Sequence, residues 1–283
     1  MITNWIEFIE MLSFMPNAVR KNMILEKLTD FGVDFEIHEY DTGSNIIVKI
    51  GNGPSYIAIT CHFDIIPGSG GANDNGAAIA SCLGIVESYT GEHDIPNVLI
   101  IFFDEEETDR RGSKAYVQDY GIDHIHTLIN MELVGTGDNI VLWPVKNEIN
   151  QITMQIQKLV IDCIINIDHV SYISGGVFIN KPAITLPTFP IYFSDFDSFY
   201  NAGLKNGITF TRVGKEDYSN AMKFLSAKNN VDIEHLISVS EILKNYHNKN
   251  DNSSNINNHH IMGNINLLIG LIEGFYRFKA SFN

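Results

Sequence analysis

His62, Asp64, Asp74, Glu106, Glu107 and Glu132 combine one imidazole with five carboxylates. Nitrogen and oxygen donors of this kind suit a zinc ion, with cobalt or manganese as possible substitutes. If one carboxylate bridged two ions about 3.5–4 Å apart, the result would be a two-metal hydrolytic site. Singly, each feature is weak. A His-x-Asp pair is common on surfaces, the run Asp104–Glu107 is the sort of charge cluster that usually faces solvent, and a glutamate at a strand end is ordinary. Their weight comes from where they fall along the chain.

Three short apolar runs rich in Ile, Val and Phe read as buried strands: "SYIAIT" from Ser55, "NVLIIFF" from Asn97 and "HTLINMEL" from His126. Helical patterns separate them, "NGAAIASCLGIVESYT" from Asn75 and "GSKAYVQDYG" from Gly112. Strands alternating with helices make βαβ units. The expected fold is therefore α/β: a single domain over residues 1–283, with a mixed, mainly parallel central sheet and helices on both faces. In such sheets ligands bind beyond the carboxyl ends of the strands. His62 and Asp64 follow the first run, Asp104–Glu107 follow the second, and Glu132 closes the third. Asp74 sits in the loop "GSGGANDNG", whose glycines permit close backbone approach and place it to bridge. Four successive carboxylates beside a buried strand would be costly without a cation.

The remaining pattern is coarser. Trp5, Ile9 and Leu12 mark one helix face; residues 34–40 and 46–50 read as paired strands. Residues 147–166 and 231–246 look helical, and 184–193 look extended. "SDFDSFYNAG" reads as a short helix capped by Ser194 and ended by Gly203, followed by the strand "GITFTRVG". "HNKNDNSSNINNHH" is polar and loop-like, and "GNINLLIGLIEGFYRF" closes the pattern as an amphipathic helix.

Nineteen basic against 34 acidic residues leave a net charge of -15. Such a surface disfavours nucleic acid and anionic membranes as partners. Three cysteines without CxxC spacing fit a reducing compartment better than a disulfide framework. The first residues lack the early basic region and continuous apolar core of a signal peptide. Charges also interrupt every apolar run short of a membrane span. A soluble, cytoplasmic protein is expected, binding neither nucleic acid nor membrane; its oligomeric state is left open.

The order of these residues resembles the co-catalytic zinc aminopeptidases of peptidase clan MH. The segments that carry the likeness are His62-x-Asp64, Asp74 within "GGANDNGAA", "EETDRRGS" from Glu106, Glu132 in "NMEL" and "HNKND" from His247 to Asp251. "SDFDSFYNAGLKNGITF" is also similar to that family's "SD…F…AGIP" region. The nearest type is the compact, single-domain one related to secreted bacterial leucyl aminopeptidases, and the likeness spans about residues 50–275.

This resemblance implies two zinc ions and an aminopeptidase acting on peptides with a free N-terminus. Asp74 would bridge both ions, His62 and Glu132 would complete one site, and Glu107 and His247 the other. Glu106 would be the general base and Asp64 would fix the ring of His62. Two departures stand out. Glu132 replaces the aspartate of close relatives, and the segment between Gly214 and Tyr246 is longer than expected. His259 and His260 are therefore alternatives to His247, although neither has the "HxxxD" context. Rival readings are a glutaminyl-peptide cyclotransferase with one zinc, and a non-catalytic binding protein on the same fold.

Overall fold

A computed structural model describes residues 2, 4–92, 96–143, 194–214, 216–217 and 243–280. The expected helix at 147–166, the extended run at 184–193 and nearly all of the expected helix at 231–246 lie outside the described residues.

Seven strands form one sheet: β1 (Glu36–Glu39), β2 (Ser44–Ile50), β3 (Tyr56–His62), β4 (Val98–Phe103), β5 (Ile125–Met131), β6 (Asn139–Trp143) and β7 (Gly207–Val213). Their order is β1-β2-β4-β3-β5-β7-β6. The centre, β4-β3-β5-β7, is parallel, and the pairings outside it are antiparallel. The sheet is thus mixed with a parallel core, as the alternating pattern predicts.

The apolar runs are buried on both sides. Val98, Ile100 and Phe102 join Ile57, Ile59 and Cys61 under one layer of helices. Leu99, Ile101 and Phe103 join Ala58 under the other. Alternate side chains of a strand point to opposite faces, so a run apolar at every position can only be stable between two layers. Register then aligns the strand ends: His62 pairs with Phe103, Thr60 with Asn130, and Met131 with Phe210. The residues that follow β3, β4 and β5 therefore emerge on one rim.

Four helices cover the first face: α1 (Ile6–Leu12), α2 (Asn17–Asp30), α3 (Ala77–Tyr89) and α6 (Asn258–Ala280). On the second lie α4 (Arg111–Tyr120) and α5 (Phe196–Asn201). Sequence reasoning missed α2, because only Arg20, Ile24 and Leu28 are buried along it, a thin stripe that opens on a charge. It also missed β6, which ends the sheet order among the described residues. Helix α6 begins five residues before the expected Gly263, which puts His259 and His260 in its first turn. Ser194 does not cap α5; its hydroxyl lies 2.9 Å from that of Thr209 on β7.

Candidate metal centre

His62 closes β3 and is buried. Its Nε2 lies 3.2 Å from Asp74 Oδ1 and 3.3 Å from Glu132 Oε1. Its Nδ1 faces Asp64, 3.2 Å from the main-chain oxygen and 3.3 Å from Oδ1. The ring is thus aimed by a partner behind it, leaving Nε2 toward two carboxylates. Glu132, directly after β5, is 6% exposed.

Asp74 reaches the rim through a tightly packed loop. At Gly70 a Cβ would lie 1.9 Å from the main-chain oxygen of Asp251. Gly71 has φ of 65° and would carry a Cβ 2.4 Å from Ile65 Cγ2. Neither position has room for a side chain, and the second needs a left-handed backbone. The Asp251 carboxylate anchors the next part of the loop, accepting the amide of Asn73 at 2.7 Å and that of Asp74 at 3.0 Å. The short turn Ala72–Gly76 then leads into α3.

Glu106 and Glu107 lie in the turn after β4, beyond the strand end where the sequence places them. Tertiary contacts give the two side chains different surroundings. Glu107 Oε2 lies 3.0 Å from His247 Nε2. The Glu106 carboxylate makes no hydrogen bond or ion pair among the described residues. Both amides are held by Asp64, at 3.0 and 3.1 Å.

His247 Nε2 also lies 3.4 Å from Asp74 Oδ2. His247 has φ of 56°, an uncommon left-handed backbone for a residue other than glycine. Its ring stacks on Tyr246, centroids 3.5 Å apart and planes 24° apart. His260 is elsewhere, 3.1 Å from Asp138 Oδ1 and 3.3 Å from the main-chain oxygen of Gly135, and His259 is exposed.

The sequence-predicted ligands are therefore brought together in two clusters, His62–Asp74–Glu132 and Asp74–Glu107–His247. Within each, the possible donor atoms lie within 4.8 Å of one another. Asp74 belongs to both.

Burial and the crowding of charged groups set the electrostatics of the site. For His62, burial lowers the imidazole, but Glu132, Asp64 and Asp74 outweigh it and hold the ring well above its ordinary value. For His247 burial is again outweighed, by Asp74 and Glu107, and the ring is raised to about 9. Burial raises Glu132 to about 6 and lifts Glu106 well above the usual carboxylate range. A cluster with more carboxylates than imidazoles favours positive charge in its midst. Asp74 Oδ2 and His247 Nε2 face each other at 3.4 Å, and Nε2 faces Glu107 Oε2 at 3.0 Å, yet none of these contacts has the alignment of a hydrogen bond. Buried donor atoms that converge without bonding one another, in a mixed N/O set, fit divalent-cation binding.

Three nearby residues were missed by sequence reasoning. Arg20 on α2 is completely buried and bonds the main-chain oxygens of Phe63, Leu12 and Gly71. Burial lowers its guanidinium to about 10, while Asp64, Asp74 and Asp251 resist the shift. Asp195, ahead of α5, is completely buried, and burial pushes its carboxyl up to about 7. Tyr246 could have been noticed as the residue beside a candidate ligand. Asp195 is the aspartate of the "SD" pair in the segment that resembles the family, a signal that went unused, whereas Arg20 carries no spacing signal.

The family described as peptidase family M28 matches residues 45–271. The chain belongs to peptidase family M28. Membership makes its enzyme class a peptidase, as expected, and the fold agrees. The fold is shared with a Zn-dependent exopeptidase from Parabacteroides distasonis, with a TM-score of 0.66 and 16% identity over 95% of each chain. A zinc aminopeptidase from Bacillus subtilis gives 0.58 and 19% identity, covering 81% of this chain and 49% of that one. At these identities the likeness concerns the fold.

Among curated relatives, a vacuolar membrane protease of Candida glabrata is 34% identical over 111 residues, 38% of this chain and 12% of that protein. One from Schizosaccharomyces japonicus is 32% identical over 114 residues, 39% of this chain and 13% of that protein. The chain thus matches only a small part of these relatives' length. They also overturn the expected cytoplasmic placement, since the relatives are named for a vacuolar membrane. Few cysteines and the absence of an early basic segment describe local chemistry, and neither dictates which compartment a domain faces. Among the described residues, no helix is long and apolar enough to cross a membrane.

Proposed function

We propose that the chain is a metal-dependent aminopeptidase that removes N-terminal residues from peptides at a site for two zinc ions. The observation that carries this is the position of Asp74, with Oδ1 3.2 Å from His62 Nε2 and Oδ2 3.4 Å from His247 Nε2. Two oxygens of one carboxylate facing two histidines is what a bridging ligand requires. His62 and Glu132 would hold one ion, and Glu107 and His247 the other.

Bound cations would supply Lewis acidity and make an attacking water more acidic. Glu106 takes the proton from that water as the new C–O bond forms, then returns it to the departing amine as the C–N bond breaks. Burial and the neighbouring carboxylates raise its affinity for a proton, and bound cations would act in the opposite sense. Asp64 holds the peptide groups of Glu106 and Glu107 in place while orienting His62. Tyr246, stacked on His247, would donate to the oxygen that gains charge; partial desolvation and the carboxylates of Asp74, Glu107, Glu132 and Glu106 raise its phenol. The acidic rim favours a substrate ammonium, which motivates an exopeptidase specific for a free N-terminus.

The test measures metal content and hydrolysis of N-terminal and N-acetylated peptides, with and without a chelator. Two zinc ions per chain and chelator-sensitive release of the first residue from the free peptide are expected. Equal cleavage of the acetylated peptide would defeat the aminopeptidase assignment. A single ion with cyclisation of N-terminal glutamine would favour the cyclotransferase reading. Asp74→Ala should lose tight binding of both ions, and retention of two would remove its bridging role.

A further inference from the structure

Arg20 is a charged side chain with no exposed surface, a costly placement unless the guanidinium has specific work. Its bonds run to three main-chain oxygens from three segments. Nε donates to Phe63, the residue between His62 and Asp64. Nη1 donates to Leu12, the last residue of α1, at 3.1 Å, and to Gly71 at 3.2 Å, three residues before Asp74. A planar fork of donors can span such a set, whereas a single ammonium cannot. The loop is pressed against it: a Cβ on Gly71 would lie 2.9 Å from Nη1. The α1–α2 pair touches the same loop elsewhere, through the Phe14 amide on the Gly70 oxygen at 2.9 Å and the Asn17 side chain on the Ile65 amide at 3.2 Å. Arg20 also lies outside residues 45–271, the part matched by the family.

We infer that Arg20 is a positioning residue of the metal centre, tying the end of β3 to the Asp74 loop, and that α1 and α2 are through it a working part of the site. The inference rests on the metal-binding reading above. It has a reciprocal consequence: if the helices steady the loop for a cation, a bound cation must steady the helices by the same factor. Charge and position act oppositely here. The positive charge repels an incoming cation, so neutralising it alone would tighten binding, while losing the fork would loosen it.

The experiment uses chelator-stripped full chain as wild type, Arg20→Lys and Arg20→Met. Zinc binding is followed by calorimetry, and amide exchange over residues 6–30 is followed with and without zinc. In wild type, zinc should slow exchange across α1 and α2. Arg20→Lys keeps the charge but not the fork, and should weaken zinc binding about 10–100-fold, the usual scale for residues that orient ligands. It should also uncouple helix protection from zinc. Unchanged zinc affinity in Arg20→Lys overturns the inference, even if the metal-free variant melts lower, because that is a purely structural residue. So does tighter binding in Arg20→Met with none lost in Arg20→Lys. Wild-type exchange insensitive to zinc overturns the role of the helices, a result that stands even if Arg20→Met fails to fold. A wild-type chain that takes up no zinc fails the underlying metal reading, and this inference with it.

Discussion

The Asp64 carboxylate accepts the main-chain amide of Glu106 at 3.0 Å, and its second oxygen accepts that of Glu107 at 3.1 Å. One buried side chain thus fixes the turn that presents both glutamates, while facing the ring of His62. Asparagine would offer one acceptor and one N–H group to two amides that both donate. Asp64→Asn should therefore lose about 10–100-fold in kcat, and Asp64→Ala at least as much. Steady-state kinetics on both variants check this, and wild-type turnover in Asp64→Asn would show that the amides do not depend on the carboxylate.

Glu106 and Glu107 are chemically alike but differently engaged. Glu107 lies 3.0 Å from His247, whereas Glu106 has no such partner among the described residues. Glu106→Gln should lower peptide turnover about 10²–10⁴-fold with metal content unchanged. Glu107→Gln should lose metal as well as rate. Kinetics paired with metal analysis separate the two, and the reverse pattern would exchange their roles.

Tyr246 should divide into a stacking role and a donor role. Its ring packs on His247 at 3.5 Å, and phenylalanine keeps that contact. Tyr246→Phe should reduce kcat on the order of 10²-fold, the scale for losing one donor to a developing oxyanion, with metal binding intact. Tyr246→Ala should in addition loosen metal held by His247. If Tyr246→Phe turns over at the wild-type rate, the hydroxyl takes no part.

A pH-dependent stability effect is expected at Asp104. Burial, reinforced by Asp64, raises its carboxyl from 3.8 to about 6. Between these values the unfolded chain has lost the proton while the folded chain retains it. The folded state is therefore progressively disfavoured as pH rises through the window, and the full cost persists above it. Asp104→Asn removes the titration and can still accept the amide of Glu105 at 3.0 Å, giving up only the longer contact, 3.4 Å, from the amide of Ser44. It should gain about 1–3 kcal/mol at pH 8 relative to wild type, with the gain vanishing below pH 4. Denaturant unfolding at several pH values tests this, and a pH-independent difference would exclude the mechanism.

Much of the fold could be read from local pattern. Runs such as "VLIIFF", Val98–Phe103, are apolar at every position, and only a sheet covered on both faces satisfies that. The order of helices and strands then required parallel neighbours, and Gly203, with φ of 113°, ends α5 where expected. Patterns failed where burial is thin or one-sided. Helix α2 buries Arg20, Ile24 and Leu28 among polar residues, so no periodic stripe announces it. Asn258 to His260 look like a polar loop because their helix is short of apolar partners only in its first turn.

The site divides along the same line. Residue type and position after a strand sufficed to nominate His62, Asp64, Asp74, Glu106, Glu107 and Glu132, because strand ends converge in any parallel sheet. His247 was nominated by its "HNKND" context, but only the folded chain separates it from His260: one faces Asp74 and Glu107, the other Asp138. The same is true of Asp251 holding the Asp74 loop, Asp64 holding two amides, and Arg20 beneath both. These contacts join residues 177, 42 and 51 positions apart, respectively. Periodicity and spacing encode how a segment relates to water and to its own neighbours, whereas pairings across such distances exist only once packing has brought the segments together.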